Sequence, residues 1–349
     1  MKTNPGNFFE DFAIGQDLVH TSPRTVTEGD AALYTALYGS RFALTSGATF
    51  AQGMGLPRAP LDPLLVFHTV FGKTVPEISL NAVANLGYAS CRFLAPVYAG
   101  DTLSARSEVI GLKANRDGKT GVVYVHSTGR NAAGEVVLDY VRWVMVRKRD
   151  EASPTPEPVI PDLPSAVAPA DLVVPEGLHA TAYHTASAGS PHLWDDYEVG
   201  ERIDHVDGTT VEEAEHMLAT RLWHNTAKVH FNQHVESQGR FGRRIVYGGH
   251  VISTARALSH NGLGNAQWVL AINGGTHANP TFAGDTIYAW SEVLERIELP
   301  GRTDVGALRL RSVGLKNRPA EGFPHKDEDG KFLADAVLDL DYTVLMPRR

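Results

Sequence analysis

APVYAGDTLSARSEVI, residues 95–110, returns in outline as NPTFAGDTIYAWSEVL at residues 279–294. Both stretches contain Ala-Gly-Asp-Thr and continue with alternating apolar and polar residues that end in Ser-Glu-Val. Gly and Asp together mark a turn, and alternation with a period of two is typical of a β-strand with one buried face. The chain therefore carries the same turn and strand twice, at a shift of 184 from Asp101 to Asp285.

Other blocks repeat in the same order and indicate an internal duplication. At a shift of 185 from Asp11 to Asp196, the matching segments are FFEDFAIGQ (8–16) with LWDDYEVGE (193–201) and RTVTEGDAAL (24–33) with TTVEEAEHML (209–218). The ends of the halves, GEVVLDYVRWVMV and DAVLDLDYTVLM, are also alike. The second half has an expected insertion at about 296–330, rich in charge, Gly and Pro.

The duplication and a proline-rich segment predict the domain organisation. Five of the 20 prolines lie between Pro154 and Pro164, where they favour extended backbone and interrupt helices and central strands. We expect an N-terminal domain at 1–150, a linker at 151–190 and a C-terminal domain at 191–349. A length of 349 residues fits two domains.

Composition limits the classes of function. A net charge of −8 argues against a dedicated nucleic-acid-binding protein. The single cysteine, Cys91, allows neither an intrachain disulfide nor a cysteine-based zinc cluster. The sequence shows no apolar run long enough for a membrane span, and the start MKTNPGNFFEDF has no signal-peptide pattern. We therefore expect a cytoplasmic protein with no membrane partner; the sequence is compatible with a homo-oligomer.

Within each half, helical patterns precede strand patterns. TVEEAEHMLATRLW (210–223) has acidic residues in its first turn and Thr210 as a candidate N-cap, and GGHVISTARALSHNGL (248–263) predicts a more buried helix ending near Gly262. TIYAWSEVL, ALRLRSV and AVLDLDYTVLM then alternate as strands. This order predicts an α+β fold in which each half has an antiparallel sheet wrapped around a helix, with the two units side by side.

These segments resemble the MaoC-like, R-specific enoyl-CoA hydratase family. The resemblance rests on five features in this order: the segment WDDYEVGERIDH (194–205), a helix, Asn-x4-His, RRIVYGGHVIS and NPTFAGDTI. It implies a double hotdog fold and a cofactor-independent hydro-lyase that adds water to an α,β-unsaturated CoA thioester. Over its full length, the pattern is most similar to the branch of the family whose acyl group ends in a free carboxylate.

The family signature G-D-x-N-P-x-H, followed by I-V-H-G, locates the expected catalytic residues. His230 matches the signature histidine, Asn225 stands where the family has aspartate, and Gly248 matches the final glycine. The resemblance implies that His230 is the general acid/base and that Gly248 offers its N–H to the thioester oxyanion. Histidine suits proton transfer near neutral pH, whereas asparagine can only orient water or substrate by hydrogen bonds.

The substrate-binding residues are expected around this motif. Candidates that border the acyl pocket or contact the CoA phosphates are Tyr247, Gly249, Ser253, Lys228, Arg243 and Arg244. Arg221 and Lys228 are alternatives for the substrate carboxylate. His234 lies four residues after His230, the spacing of a helical metal site, but His224 and Asn232 do not complete the three ligands that zinc sites normally use. We therefore expect no metal.

The first half lacks the same constellation. At the shift of 185, Ser40 replaces Asn225, Thr45 replaces His230, and Asp62-Pro63 replaces Tyr247-Gly248. Proline has no N–H to donate, so we expect this half to be catalytically inactive and to help bind CoA. Two alternatives remain for the whole chain: a hotdog acyl-CoA thioesterase, and an acyl-CoA-binding protein without catalysis.

Overall fold

One antiparallel sheet of 11 strands dominates the computed structural model, which describes residues 2–349. The strands are β1 (Asp17–Thr25), β2 (Ala82–Phe93), β3 (Thr102–Ala114), β4 (Thr120–Arg130), β5 (Val136–Arg147), β6 (Arg202–Asp204), β7 (Thr209–Thr210), β8 (Trp268–Thr276), β9 (Thr286–Ile297), β10 (Val305–Lys316) and β11 (Ala336–Pro347). Their order is β1-β3-β4-β5-β2-β8-β11-β10-β9-β6, and β7 also pairs with β9.

The helices of the two halves follow the same order. They are α1 (Glu28–Tyr38), α2 (Ala43–Ser46), α3 (Ala48–Gly53), α4 (Pro63–Lys73), α5 (Thr185–Ala188), α6 (Glu213–Leu222), α7 (Lys228–Phe231), α8 (Gln233–Glu236), α9 (Gly248–Leu258) and α10 (His260–Leu263). Short 3-10 helices cover Phe9–Asp11, Pro169–Asp171 and Trp194–Asp196, and a π-helix covers Val75–Ser79.

Equivalent side chains make the same contacts in both halves. His20 Nε2 lies 2.8 Å from Ser107 Oγ in the first half, and His205 Nε2 lies 2.8 Å from Ser291 Oγ in the second. The backbone N–H of Gly15 donates to a carbonyl of β3, and that of Gly200 donates to the equivalent carbonyl of β9, both at 2.8 Å. The duplication seen in the sequence is therefore a duplication of structure.

The halves join through the sheet and through their central helices. Strand β2 pairs with β8, where Cys91 lies opposite Ile272. Helix α4 packs on β1, β3 and β5, and α9 packs on β9, β10 and β11. The two helices meet where His68 Nε2 lies 2.8 Å from Ser253 Oγ. Every residue of α4 is buried, which explains its almost wholly apolar sequence PLLVFHTVFGK.

Three sequence-based expectations need correction. Thr210 does not cap α6, because it pairs in β7 and the N-cap is Glu212. The expected insertion at 296–330 contains strand β10. The extra length of the second half lies instead in the connection between β10 and β11, residues 317–335, whereas the equivalent connection between β4 and β5 is only residues 131–135. The helix expected at 248–263 divides into α9 and α10, and Gly262 has a positive φ of 101°.

Residues 151–190 contain little regular structure, although parts of the segment are covered. Val159 makes an isolated bridge with Leu112, and the N–H of the buried Val167 donates to Asn273 Oδ1 at 2.9 Å. Leu178 is buried in an apolar cluster to which both halves contribute, for example Met54 and Leu345. This proline-rich segment therefore packs along the sheet rather than leaving it. Among the described residues 2–349, no helix is long and apolar enough to cross a membrane.

Candidate active site

The N-terminus of α9 is the centre of the candidate site. Tyr247 is the N-cap residue, and Gly248 and Gly249 begin the helix. The first N–H groups of a helix have no intrahelical acceptor and carry the positive end of the helix dipole. They are therefore suited to an oxygen that gains negative charge.

Close packing explains both glycines at this helix start. A Cβ built on Gly248 would lie 2.4 Å from Cε1 of His277, and one built on Gly249 would lie 2.4 Å from the ring of Tyr247. Larger residues would therefore displace the side chains around the helix terminus. The glycines therefore allow His277 and Tyr247 to pack directly against the backbone of the helix start.

His230 lies on α7, and its ring is held next to the start of α9. Nδ1 is 3.0 Å from the carbonyl oxygen of Ile245, and the ring is edge-on to Tyr247 with centroids 5.7 Å apart. A carbonyl only accepts, so Nδ1 carries the proton and Nε2 keeps a free lone pair. Burial lowers the pKa of His230 to about 4. The imidazole is therefore neutral at pH 7, as a general base must be.

Asn225 lies in the turn between α6 and α7 and is 2% exposed. Its backbone N–H donates to Thr220, and its Oδ1 accepts the N–H of Ala227 at 3.3 Å. Its Nδ2 makes no hydrogen bond with residues 2–349. The side chain thus shapes the turn before α7 and has a donor left for a water or substrate oxygen.

The first half positions this turn. A Cβ on Gly72 of α4 would lie 1.6 Å from the carbonyl oxygen of Trp223 and 3.5 Å from the backbone nitrogen of Asn225. Only glycine allows the helix to approach so closely. His224, between these two residues, is exposed and has a positive φ of 55°.

His277 is a second histidine at the site, and it lies outside the sequence motif. It follows β8, its ring covers Gly248, and its Nε2 lies 3.2 Å from the hydroxyl of Tyr88 in the first half. Burial and the neighbouring His230 lower its pKa to about 4. The one local signal was its position, two residues before the repeated block that begins at Asn279.

Tyr247 and Ser253 belong to a buried polar chain that crosses between the halves. The hydroxyl of Tyr247 lies 3.3 Å from Nδ1 of His68, and Nε2 of His68 lies 2.8 Å from Ser253 Oγ. Tyr34 also donates to Ser253, at 3.2 Å. Burial lowers the pKa of His68 to about 3, so this chain is uncharged at neutral pH.

The basic residues expected to contact CoA lie at or near the surface. Lys228 and Arg243 are exposed, and the guanidinium of Arg243 lies 4.0 Å from the ring centroid of Phe282. Arg244 pairs with Glu213. Arg221, also exposed, donates to the carbonyl of Met217. These four side chains are at the outer side of the α6–α9 region.

The remaining histidines of the motif region are not gathered into a metal-binding group. His234 is exposed, whereas His250 is buried and its Nδ1 lies 3.1 Å from the hydroxyl of Tyr38. Within residues 2–349, no group of three or more His, Cys, Asp or Glu side chains is arranged to hold a metal ion.

The equivalent region of the first half has different chemistry. Pro63 is the first residue of α4, and the Asp62 carboxylate accepts the N–H of Leu64 at 2.9 Å. Ser40, Thr45 and Asp62 line a cavity of only about 20 Å³. The helix terminus is thus occupied by its own carboxylate. A separate surface cleft of about 500 Å³, lined by Arg41 and His184 among others, lies outside α2 and α3.

Comparison with known proteins shows the family to which the chain belongs. The sequence profile of a family described as mesaconyl-CoA hydratase matches residues 2–322. The chain belongs to the mesaconyl-CoA hydratase family. It is 68% identical to a beta-methylmalyl-CoA dehydratase of Chloroflexus aurantiacus, with coverage of 100% of this chain and 99% of that one. It is 61% identical to a mesaconyl-CoA hydratase of Cereibacter sphaeroides, with both chains covered completely, at 100%.

Solved structures confirm the fold expected for this mesaconyl-CoA hydratase family member. A MaoC domain dehydratase structure from Chloroflexus aurantiacus matches with a TM-score of 0.98 and 68% identity, covering 100% of this chain and 99% of that one. A Mycobacterium tuberculosis protein described as having a double hotdog fold matches with a TM-score of 0.77 and 27% identity, covering 98% and 99%. The chain is a double hotdog protein, and the resemblance to MaoC-like proteins is confirmed.

Proposed function

We propose that the protein catalyses the reversible hydration of mesaconyl-C1-CoA (2-methylfumaryl-CoA) to (2R,3S)-β-methylmalyl-CoA. The observation that carries the proposal is the position of the neutral His230 beside the free N-terminus of α9. The two relatives named for the forward and reverse directions of such a reaction support it. The substrate is therefore a CoA thioester, and the enzyme is a hydro-lyase.

His230 acts on the water. Its Nε2 accepts one water proton while the water oxygen forms a bond to C3 of the acyl group, the β-carbon. The Nδ1–H bond to Ile245 fixes the tautomer that this step needs. Asn225 orients the water through its free Nδ2 or positions the acyl group, since an amide cannot exchange a proton at neutral pH.

Gly248 acts on the thioester. As the C3–O bond forms, the double-bond electrons move toward the thioester carbonyl and give an enolate. The N–H of Gly248 donates to that oxygen, aided by the helix dipole. One such donor contributes ~3 kcal/mol to transition-state stabilisation in a comparable site.

The enolate then takes a proton at C2, the α-carbon. Protonated His230 returns the proton it removed from water, so no net proton is gained or lost. His277, which covers Gly248, is a second group able to carry that proton. Dehydration follows the same steps in reverse.

We place the catalytic machinery in the C-terminal unit, residues 191–349, and a supporting role in the N-terminal unit, residues 1–150. Asp62 and Pro63 remove the oxyanion donor from the first half, and Ser40 and Thr45 provide no base. The first half instead supplies Gly72, His68 and Tyr88 to the walls of the single site. Tyr247, Gly249 and Ser253 border that site, while Lys228, Arg243 and Arg244 are the proposed contacts of the CoA phosphates.

A direct assay tests the proposal. Mesaconyl-C1-CoA is mixed with the purified protein, and loss of enoyl-thioester absorbance is followed together with the product mass. We expect the absorbance to fall and the thioester to gain one water, without free thiol. Release of free CoA would instead indicate a thioesterase, and binding without turnover would indicate a non-catalytic acyl-CoA-binding protein; either result would overturn the proposed function.

A further inference from the structure

Arg142 is a fully buried cation of β5 with 0% exposure. Its Nη2 donates to Thr74 Oγ1 and Ser79 Oγ, both at 2.8 Å, and its Nη1 reaches Asn85 Oδ1 at 3.4 Å. These acceptors are all neutral. Arg142 forms no salt bridge with any of residues 2–349.

A buried guanidinium without an anion is unfavourable, because arginine cannot release its proton in a protein and loses its hydration. Two less buried arginines near the site have acidic partners. Arg24 pairs with Asp30, and Arg244 pairs with Glu213. Arg256 of α9 is also buried and donates only to neutral oxygens, those of Ser259 and Ala266. Arg142 lies, in addition, among unused donors that an anion from outside the chain would satisfy.

Unused donors surround the guanidinium. Three buried atoms have no hydrogen-bond partner among residues 2–349: Arg142 Nε, Asn85 Nδ2 and the hydroxyl oxygen of Tyr140. Tyr140 is two residues from Arg142 on the same strand, so both side chains lie on one face of the sheet. Asn85 already contacts Arg142 through its Oδ1. A carboxylate, which only accepts hydrogen bonds, is the chemical complement of these three donors.

Two routes of contact connect Arg142 with the candidate active site. Its guanidinium lies 4.3 Å from the ring centroid of Phe71, whose ring is 5.9 Å from that of Tyr247. Tyr88 lies directly opposite Arg142 in the β2–β5 ladder and contacts His277, which covers Gly248. Arg142 therefore lies on the inner side of the residues that surround the thioester position.

The proposed substrate carries a carboxylate that would point from the thioester position toward Arg142. In 2-methylfumaryl-CoA the C4 carboxylate is trans to the thioester carbon across the double bond. When the thioester oxygen is held at the N-terminus of α9, the carboxylate consequently projects away from that helix start. The exposed Arg221 and Lys228 lie on the outer side and are more suited to CoA than to an inward-pointing carboxylate.

We propose that Arg142, with Tyr140 and Asn85, binds the free carboxylate of the acyl group and selects dicarboxylic over neutral acyl-CoA thioesters. This inference rests on the proposed function and adds the residue that recognises the substrate class. Arg142 comes from the first half, which is thereby responsible for specificity, while His230 and Gly248 of the second half perform the chemistry.

Two unreactive thioesters separate recognition from catalysis. 2-Methylsuccinyl-C1-CoA keeps the carboxylate, and 2-methylbutyryl-CoA has a methyl group in its place. We expect the wild-type protein to bind the first at least ~10-fold more tightly. In Arg142→Met, affinity for 2-methylsuccinyl-C1-CoA should fall by ~10- to 100-fold, while affinity for 2-methylbutyryl-CoA stays within about threefold.

Tyr140→Phe is the matched variant with little risk to folding, because the hydroxyl that it removes has no partner within residues 2–349. This variant should weaken the binding of 2-methylsuccinyl-C1-CoA several-fold and leave the affinity for 2-methylbutyryl-CoA unchanged. Its melting temperature should equal that of the wild type. The inference would be overturned if Arg142→Met weakened the binding of both thioesters equally and Tyr140→Phe changed neither affinity. It would also be overturned if the wild-type protein bound both thioesters with the same affinity. Binding of these thioesters needs no turnover. If the hydratase assay failed but the wild-type protein still bound 2-methylsuccinyl-C1-CoA more tightly, only the proposed function would be rejected.

Discussion

His230 donates its Nδ1 proton to the carbonyl oxygen of Ile245 across 3.0 Å, and the two residues flank the start of α9. The bond leaves Nε2 as the proton acceptor. Burial lowers the pKa of the ring to about 4, so protonation of the free base requires a pH far below the ordinary value of ~6.5.

The pH dependence of kcat/KM follows from this shift. His230 works as a base only when neutral, so activity should be lost as pH falls through about 4 and not near ~6.5. Initial rates with mesaconyl-C1-CoA between pH 5 and 8, measured at low substrate concentration, should be nearly constant on the acidic side. An inflection close to ~6.5 would show that the catalytic histidine is solvated and the described environment wrong.

Stability should respond to acid more strongly than activity. Burial lowers the pKa to about 3 in His68 and His250 and to about 4 in His205, His230 and His277. Between those values and ~6.5 the unfolded chain binds more protons than the folded one, so the free energy of unfolding falls as pH falls. The melting temperature should drop by more than ~5 °C from pH 7 to pH 5. An unchanged value would contradict the burial of neutral histidines.

Substitutions of Asn225 test whether catalysis requires the carboxylate that the family usually has at this position. Asn225→Asp is nearly isosteric and keeps the Oδ1 that accepts the N–H of Ala227, so the turn should hold. A charge near the substrate carboxylate costs ~1–4 kcal/mol at ~4 Å, so we expect an active enzyme with a raised KM and an added acidic limb in its pH profile. Asn225→Ala should be slower than Asn225→Asp in kcat at each pH from 5 to 9. If alanine matched the wild type, Asn225 would serve only the turn.

The inactivity of the first half has its own test. Ser40 and Thr45 occupy the positions of Asn225 and His230, and Ser40 Oγ has no partner within residues 2–349. The double variant Ser40→Ala, Thr45→Ala should therefore keep kcat within a few-fold of the wild type. A loss as deep as that caused by changing His230 would place catalysis in both halves.

Local patterns were enough to predict the repeated units and the motif. Strands β9, β10 and β11 follow the alternation seen in the sequence, and Gly248 begins the helix expected of GGHVIS. The N-cap at Thr210 was wrong because pairing with β9 takes that residue into a strand. The helix-capping preference of a single residue does not reveal that Thr210 pairs with Thr286, which lies more than seventy residues further along the chain.

The inner side of the candidate site could not be read from local sequence. Tyr88 and Arg142 lie on neighbouring strands of the first half, and they approach His277 only because β2 pairs with β8. No spacing rule connects these residues, since the contact depends on how the two duplicated units join. Gly72, likewise, is explained only by the close approach of Trp223.

The most direct test of the central claim compares His230→Gln with His234→Gln. His234 is exposed on α8, only four residues further along the chain, so the second variant makes the same chemical change outside the proposed site. The measurement is kcat for hydration of mesaconyl-C1-CoA, with the melting temperature of each variant as the check on folding. We expect His230→Gln to lose ~10²–10⁴-fold in kcat while folded, and His234→Gln to stay within about twofold of the wild type. A folded His230→Gln protein with near-normal kcat would contradict the account.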